Sequence, residues 1–284
     1  MKKICMVAVL ALMAFAEMGS AGSQRILPMA PSLVEAVFAL GAGERVAGIP
    51  EYTSWPPEAL DLPSVGGYFN PNLERIAVLK PDLVILQGQH EKVDRYCRRH
   101  GIPLLHVAME DRTSIREGLH ILGHALGQDA EARMLTDAME AELERLGRKF
   151  YRSKPPAVLL VVGRTPGTLS GIMTAGRDSF LTELTELAGG RNIFDDQSQR
   201  YPTVSKEAIL VRQPDIILEF MPGDREREGN GLVHEWQAMA SVPAVRKGRI
   251  RVLTDNRLLM PGPRIAEAAA ILGETIAEMM PWED

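Results

Sequence analysis

Part of this chain occurs twice, and that constrains its fold more than any other feature. Leu73-Glu74-Arg75-Ile76, followed by Lys80-Pro81-Asp82-Leu83-Val84-Ile85-Leu86, returns as Lys206-Glu207-Ala208-Ile209 and Gln213-Pro214-Asp215-Ile216-Ile217-Leu218 at a constant offset of 133 residues. A Pro-Asp pair that ends a helix and feeds a strand is common local grammar. It does not account for a Glu and an Ile at matching positions upstream. The repeat predicts two related lobes, each with the same helix, turn and strand, and 284 residues suffice for two cores.

The remaining pattern agrees. Aliphatic runs at 25–29, 46–49, 83–87, 104–108, 158–162, 215–220 and 250–253 alternate with helical-period segments such as 31–40, 73–79, 90–100, 180–188, 206–211 and 265–280. This predicts an α/β fold of two Rossmann-like lobes with parallel central sheets and right-handed crossovers. Residues 128–152 hold no Pro and only Gly147, with Met134, Leu135, Ala138, Met139, Leu143 and Leu146 at helical spacing. They predict a rod of roughly 35 Å that Pro155-Pro156 ends, long enough to join the lobes. The expected order is a signal peptide at 1–21, an N-terminal lobe at 22–127, a connecting helix at 128–153 and a C-terminal lobe at 154–284.

Met1-Lys2-Lys3 precedes an uncharged apolar run, 4–16, that closes on Ala14-Phe15-Ala16. Those features define a secretory signal, since the run falls short of the ~20 residues that span a bilayer. Cys5 is expected to leave with it. Cys97 is then the one cysteine of an exported chain, which excludes an intrachain disulfide. A formal charge of -5 and a pI of about 5.8 exclude a nucleic-acid partner for want of a basic stripe.

Chemical motifs are incomplete. Gly41-Ala42-Gly43 lacks the third glycine of a dinucleotide loop and runs from helix to strand, as a helix C-terminal turn does. Gly167-Thr168-Leu169-Ser170-Gly171 is out of register for a nucleophile elbow. His234-Glu235-Trp236-Gln237-Ala238 lacks the second histidine of a zinc-protease helix, and His120 and His124 share a helical face without a third ligand. No catalytic residues, resident cofactor or metal are expected. Aromatics make only 5% of the chain, so each loop aromatic calls for a reason; Tyr68 stands six residues before Glu74, and Tyr201 six before Glu207.

Taken in order, Tyr52-Thr53-Ser54-Trp55-Pro56-Pro57-Glu58-Ala59, Asn72-Leu73-Glu74-Arg75-Ile76, Leu79-Lys80-Pro81-Asp82-Leu83-Val84-Ile85, Ala188-Gly189-Gly190-Arg191-Asn192-Ile193-Phe194, Val204-Ser205-Lys206-Glu207 and Pro263-Arg264-Ile265 resemble a known family. It is that of the helical-backbone substrate-binding proteins of bacterial ABC importers, whose members carry cobalamin, haem or iron-siderophores. The likeness is nearest to the cobalamin branch. It implies a periplasmic monomer, not an enzyme, that takes cobalamin or a related corrinoid between its lobes. Delivery is to an ABC permease dimer whose arginines meet one Glu per lobe, at positions matching Glu74 and Glu207. Tyr68 and Tyr201 fall where the branch brackets its flat macrocycle with aromatics, Tyr in place of the usual Trp, and Tyr52 matches a further aromatic contact.

Loops at strand ends add Arg164, Arg177 and Asn256, the arginines suited to ligand propionates, phosphates or carboxylates. His90 follows the 83–87 strand and is a candidate axial ligand for haem or a cobalt corrinoid. Two alternatives stay open: a haem or ferric-siderophore carrier, and an exported enzyme or electron-transfer protein that keeps its corrinoid or haem permanently.

Overall fold

The structure is a computed structural model that describes residues 25–68, 70–221 and 233–281. The expected signal peptide lies outside the described residues. The chain divides into two compact units, the first comprising residues up to Met109 and Ile115–Thr136, the second Glu110–Ser114 and Asp137 onward.

In the first unit, β1 (Ile26–Pro28) leads into α1 (Pro31–Ala39), and α2 (Leu73–Leu79) into β2 (Leu83–Leu86). After α3 (Glu91–His100) comes β3 (Leu104–His106), and the sheet runs β1-β2-β3, all parallel, with Ile26 opposite Leu83 and Val84 opposite Leu104. β2 is buried at every residue, as a central parallel strand covered on both faces should be. Leu27, Met29, Ile76, Val84, Leu86, Val93 and Cys97 close the core beside it. Burial raises the Cys97 thiol to about 11, with Asp94 adding to the shift, so it packs as a small apolar group. Residues 46–49, expected as a strand, make only isolated bridges, Ile26 with Val46 and Ile49 with Ser64. Pro50 follows directly and has no N–H with which to extend the ladder.

Two helices contain residues of both units: α4 (Arg112–Leu126) and α5 (Asp129–Lys149). The 110–114 segment is tied into the second unit: Arg112 N–H donates to Glu183 (2.8 Å), its guanidinium pairs with Glu140, and Phe180 N–H donates to the Glu110 carbonyl (3.2 Å). α5 has 21 residues and stops well before Pro155. Phe150 explains the stop, because it is 2% exposed and its ring lies against Gly273, where a Cβ would come within 2.3 Å.

The second unit holds β4 (Ala157–Gly163), β5 (Ile172–Thr174), α6 (Phe180–Leu187), β6 (Arg191–Asn192), β7 (Thr203–Val204), α7 (Lys206–Arg212), β8 (Ile216–Phe220), α8 (Pro243–Arg246), β9 (Ile250–Leu253) and α9 (Ile265–Met279). Its sheet runs β7-β5-β4-β8-β9, with β6 also on β4. β6, β4, β8 and β9 are parallel, as expected for this lobe. β5 and β7 are antiparallel additions. In β5, Ile172 and Thr174 are buried and Met173 is turned outward in the alternation a strand imposes. The core gathers Leu159, Val161, Phe194, Ile217 and Trp236.

Candidate functional site

The repeat is a repeat of structure. Asn72 caps α2 by accepting the Arg75 N–H (3.0 Å), and Ser205 caps α7 by accepting the Ala208 N–H (3.2 Å). Both seven-residue helices end on a left-handed residue, Lys80 at φ 46° and Gln213 at φ 47°. The Pro-Asp pair then has a second task. Asp82 accepts the Arg25 N–H (3.1 Å) and Asp215 the Ala157 N–H (3.0 Å), so each aspartate fixes the start of the neighbouring strand as well as opening its own. Glu74 and Glu207 sit exposed in the first turn of their helices. Glu207 is held below the usual carboxylate range by its own backbone N–H and the Ser205 hydroxyl.

In the first unit the structure brings Tyr68 and His90 together. Their rings meet edge to face at 4.2 Å and 75°, and the Tyr68 hydroxyl donates to the Gln87 carbonyl (2.8 Å). Gln87 is itself fixed, accepting from Ser32 (2.7 Å) and donating to the Met109 carbonyl (2.9 Å). Gly88, at φ 71°, leaves room for the phenol, since a Cβ there would lie 2.7 Å from the Tyr68 oxygen. His90 is 7% exposed, and burial depresses its pKa against the opposing pull of the Gln87 carbonyl and Asp94. Its Nε2 is buried without a hydrogen-bond partner. So enclosed, the imidazole packs against Tyr68 and helps to fix its ring. Tyr52 is 87% exposed on a turn, with Trp55 (43%) three residues on. Both stand on loops of an aromatic-poor chain.

In the second unit Arg164 departs from expectation. Its side chain is 3% exposed and pairs with Glu219 (2.7 Å) and with Glu235, and it also donates to the Thr168 carbonyl (2.6 Å). Trp236 Nε1 donates to the same Glu219 (3.0 Å). A guanidinium already matched by two carboxylates is a brace for its loop rather than a ligand anchor. Arg177 is exposed and its guanidinium donates to the carbonyls of Asp195 (3.1 Å) and Asp196 (3.4 Å), bracing that loop. Tyr201 is half-buried with its hydroxyl bonded to Ser179; burial raises its pKa. Asn256 opens a 3-10 turn capped by Asp255, whose carboxylate holds Arg257 (2.6 Å).

His124 faces Asp129 (3.3 Å) and His120 faces Thr136 (3.3 Å), and no group of three metal-ligating side chains occurs among the described residues. No helix among them is long and apolar enough to cross a membrane.

Two α/β units, a duplicated acidic helix and aromatics on loops describe a binding protein that presents similar surfaces twice. The chain belongs to the periplasmic binding protein family, whose profile matches residues 29–256. It is 28% identical over 249 residues to the vitamin B12-binding protein of Vibrio cholerae, covering 87% of this chain and 86% of that one. To the vitamin B12-binding protein of Pectobacterium atrosepticum it is 27% identical, covering 90% and 89%. Among solved structures it resembles the periplasmic heme-binding protein RhuT of Roseiflexus sp. RS-1 (TM-score 0.77, 29% identity, 91% and 99% covered). It also resembles the periplasmic vitamin B12 binding protein BtuF of Vibrio cholerae (TM-score 0.75, 25% identity, 92% and 99% covered). These relatives are binding proteins, and the family's task is to hand a small molecule to an ABC permease.

Proposed function

We propose that this protein is an exported, periplasmic carrier that captures cobalamin or a related corrinoid and delivers it to an ABC permease dimer, docking through Glu74 and Glu207 and performing no chemistry on its cargo. The likeness to vitamin B12-binding proteins along nearly the whole chain carries the ligand assignment. Tyr52, Tyr68 and Tyr201 are the proposed aromatic contacts, with Asn256 polar support. Tyr68 is the best prepared of them, because the Gln87 carbonyl and His90 fix its ring before any ligand arrives, and an ordered contact loses less entropy on binding. The basic start and apolar run within 1–21 support export by a cleavable signal, and the proposed carrier acts as a monomer.

The docking assignment is supported by the matching cap geometry of the two Glu-bearing helices and by the exposure of both glutamates. One carboxylate per half suits a two-fold partner, where charge complementarity sets orientation and encounter rate.

The test of the ligand is thermal denaturation with cyanocobalamin, haemin and two ferric siderophores. A ligand at ~100 times its Kd adds about 2.7 kcal/mol. A shift with cyanocobalamin is the expected result. A shift with haemin alone selects a haem carrier instead, the reading favoured by the likeness to the heme-binding protein of Roseiflexus. Bound colour that survives dialysis would turn the assignment toward an enzyme or electron-transfer protein.

A further inference from the structure

The seven positions of α2 and α7 align as Leu/Lys, Glu/Glu, Arg/Ala, Ile/Ile, Ala/Leu, Val/Val and Leu/Arg. Three coincide. Ile76 and Ile209 are fully buried, so each is required by its own core. The other two shared positions are surface positions: Glu74 with Val78, and Glu207 with Val211. Val78 is 78% exposed and Val211 is 83% exposed, the two most exposed large aliphatic side chains among the described residues. A lone surface valine is ordinary. Here it recurs at the same place on the same helix of both halves, where packing within the unit gives no reason for it.

Each valine follows its glutamate by four residues and so shares its helix face, with Cβ atoms about 6 Å apart. Ala77 and Leu210, exposed at the third residue after the glutamate, widen the apolar part of each patch.

We propose that Glu74 with Val78 and Glu207 with Val211 are two copies of one docking patch, in which the carboxylate steers and the valine holds. The occupant is the ABC permease dimer, each subunit offering a basic side chain with an apolar seat one helical turn away. This rests on the docking role given above to Glu74 and Glu207, and extends the same surface along the same helices. The two parts of the patch have separable effects. A rim charge acts on association and is screened by salt, whereas apolar contact acts on dissociation and is not.

The experiment measures binding kinetics of the full exported chain to the producing organism's own permease complex in nanodiscs, for wild type, Val78→Ser/Val211→Ser and Glu74→Gln/Glu207→Gln. Melting temperature and cyanocobalamin titration report whether each variant is folded. The valine variant should dissociate roughly 10-fold faster, by an equal factor at low and high salt, with little change in association. The glutamate variant should associate more slowly, and the deficit should shrink in high salt. Unchanged dissociation of the valine variant, with a defective glutamate variant, overturns this inference and leaves the docking role standing. Wild-type kinetics in both variants overturn both. Self-association of the wild type that the valine variant abolishes, with permease kinetics unchanged, reassigns the patch to a second copy of this chain.

Discussion

The two halves agree at one end of their repeated strand and differ at the other. Before β2 and β8 they share an acidic helix, a left-handed cap and a Pro-Asp pair whose carboxylate holds the adjacent strand. Toward the far end of the same strands they part. In the first unit a neutral amide, Gln87, ties Ser32, Met109 and Tyr68 together. In the second an ion cluster of Arg164, Glu219 and Glu235 does the corresponding work, with Trp236 hydrogen-bonded to it. Carboxyl ends of strands are where open α/β sheets carry their ligands. The retained end is the one the proposed docking role uses, and at the diverged end each half carries its own chemistry.

This difference in chemistry predicts a difference in fragility. Arg164→Met strands two carboxylates, one of them 5% exposed, and should cost about 3–5 kcal/mol, because an uncompensated buried charge is the expensive case. Gln87→Leu removes a neutral junction and should cost about 1–3 kcal/mol, set by the partners left unmade. Urea denaturation of the two variants compares them directly. Equal losses would mean that the second cluster is hydrated in solution and that the contrast between the halves is one of composition only.

Those clusters also mark the limit of what the sequence made legible. The repeated segment was readable because it is local: α2 spans 73–79 as periodicity predicts, and α7 and the paired strands fall within a residue or so of their expected bounds. Arg164 looked like a ligand anchor because its two counter-charges arrive from 55 and 71 residues away, and no short-range pattern announces them. For the same reason β5 and β7 were invisible, being two or three residues long and dependent on pairing with distant segments. The end of α5 was misjudged because Phe150 answers to Gly273, not to the prolines beside it.

Acid should separate the halves next. Burial lowers the pKa of His90 from its ordinary 6.5, so the unfolded chain takes up that proton first. The stability it contributes is present above pH 6.5 and is lost as pH falls through 6.5 toward the folded value. Asp94, which pairs with His106 (3.0 Å), opposes the shift. In the second unit burial raises Glu183 and Glu186 above their ordinary 4.5; their contribution is present below that value and is lost as pH rises through the folded one. Acidification from pH 7.5 to 5.5 should therefore weaken the protein through the first unit. His90→Gln should flatten the profile across that window, seen as a smaller fall in melting temperature. An unaltered slope would show that His90 is solvated when folded.

The smallest effect tests whether the two caps are as alike as their angles. Lys80 and Gln213 both hold φ near 46°, a conformation that costs an L-residue roughly 1–2 kcal/mol. Glycine avoids that cost but gains freedom in the unfolded chain worth about 0.4–1 kcal/mol, so Lys80→Gly should stabilise by between zero and about 1.6 kcal/mol. Gln213 differs in one respect: its side-chain amide donates to the Leu210 carbonyl, one of the last carbonyls of α7. That bond is lost with the side chain, at about 0.5–1.5 kcal/mol. Gln213→Gly should then be neutral or slightly destabilising, although the backbone it relieves is the same. Equal gains in melting temperature for both variants would mean that the Gln213 amide contributes nothing, and that the two turns are equivalent in energy as well as in shape.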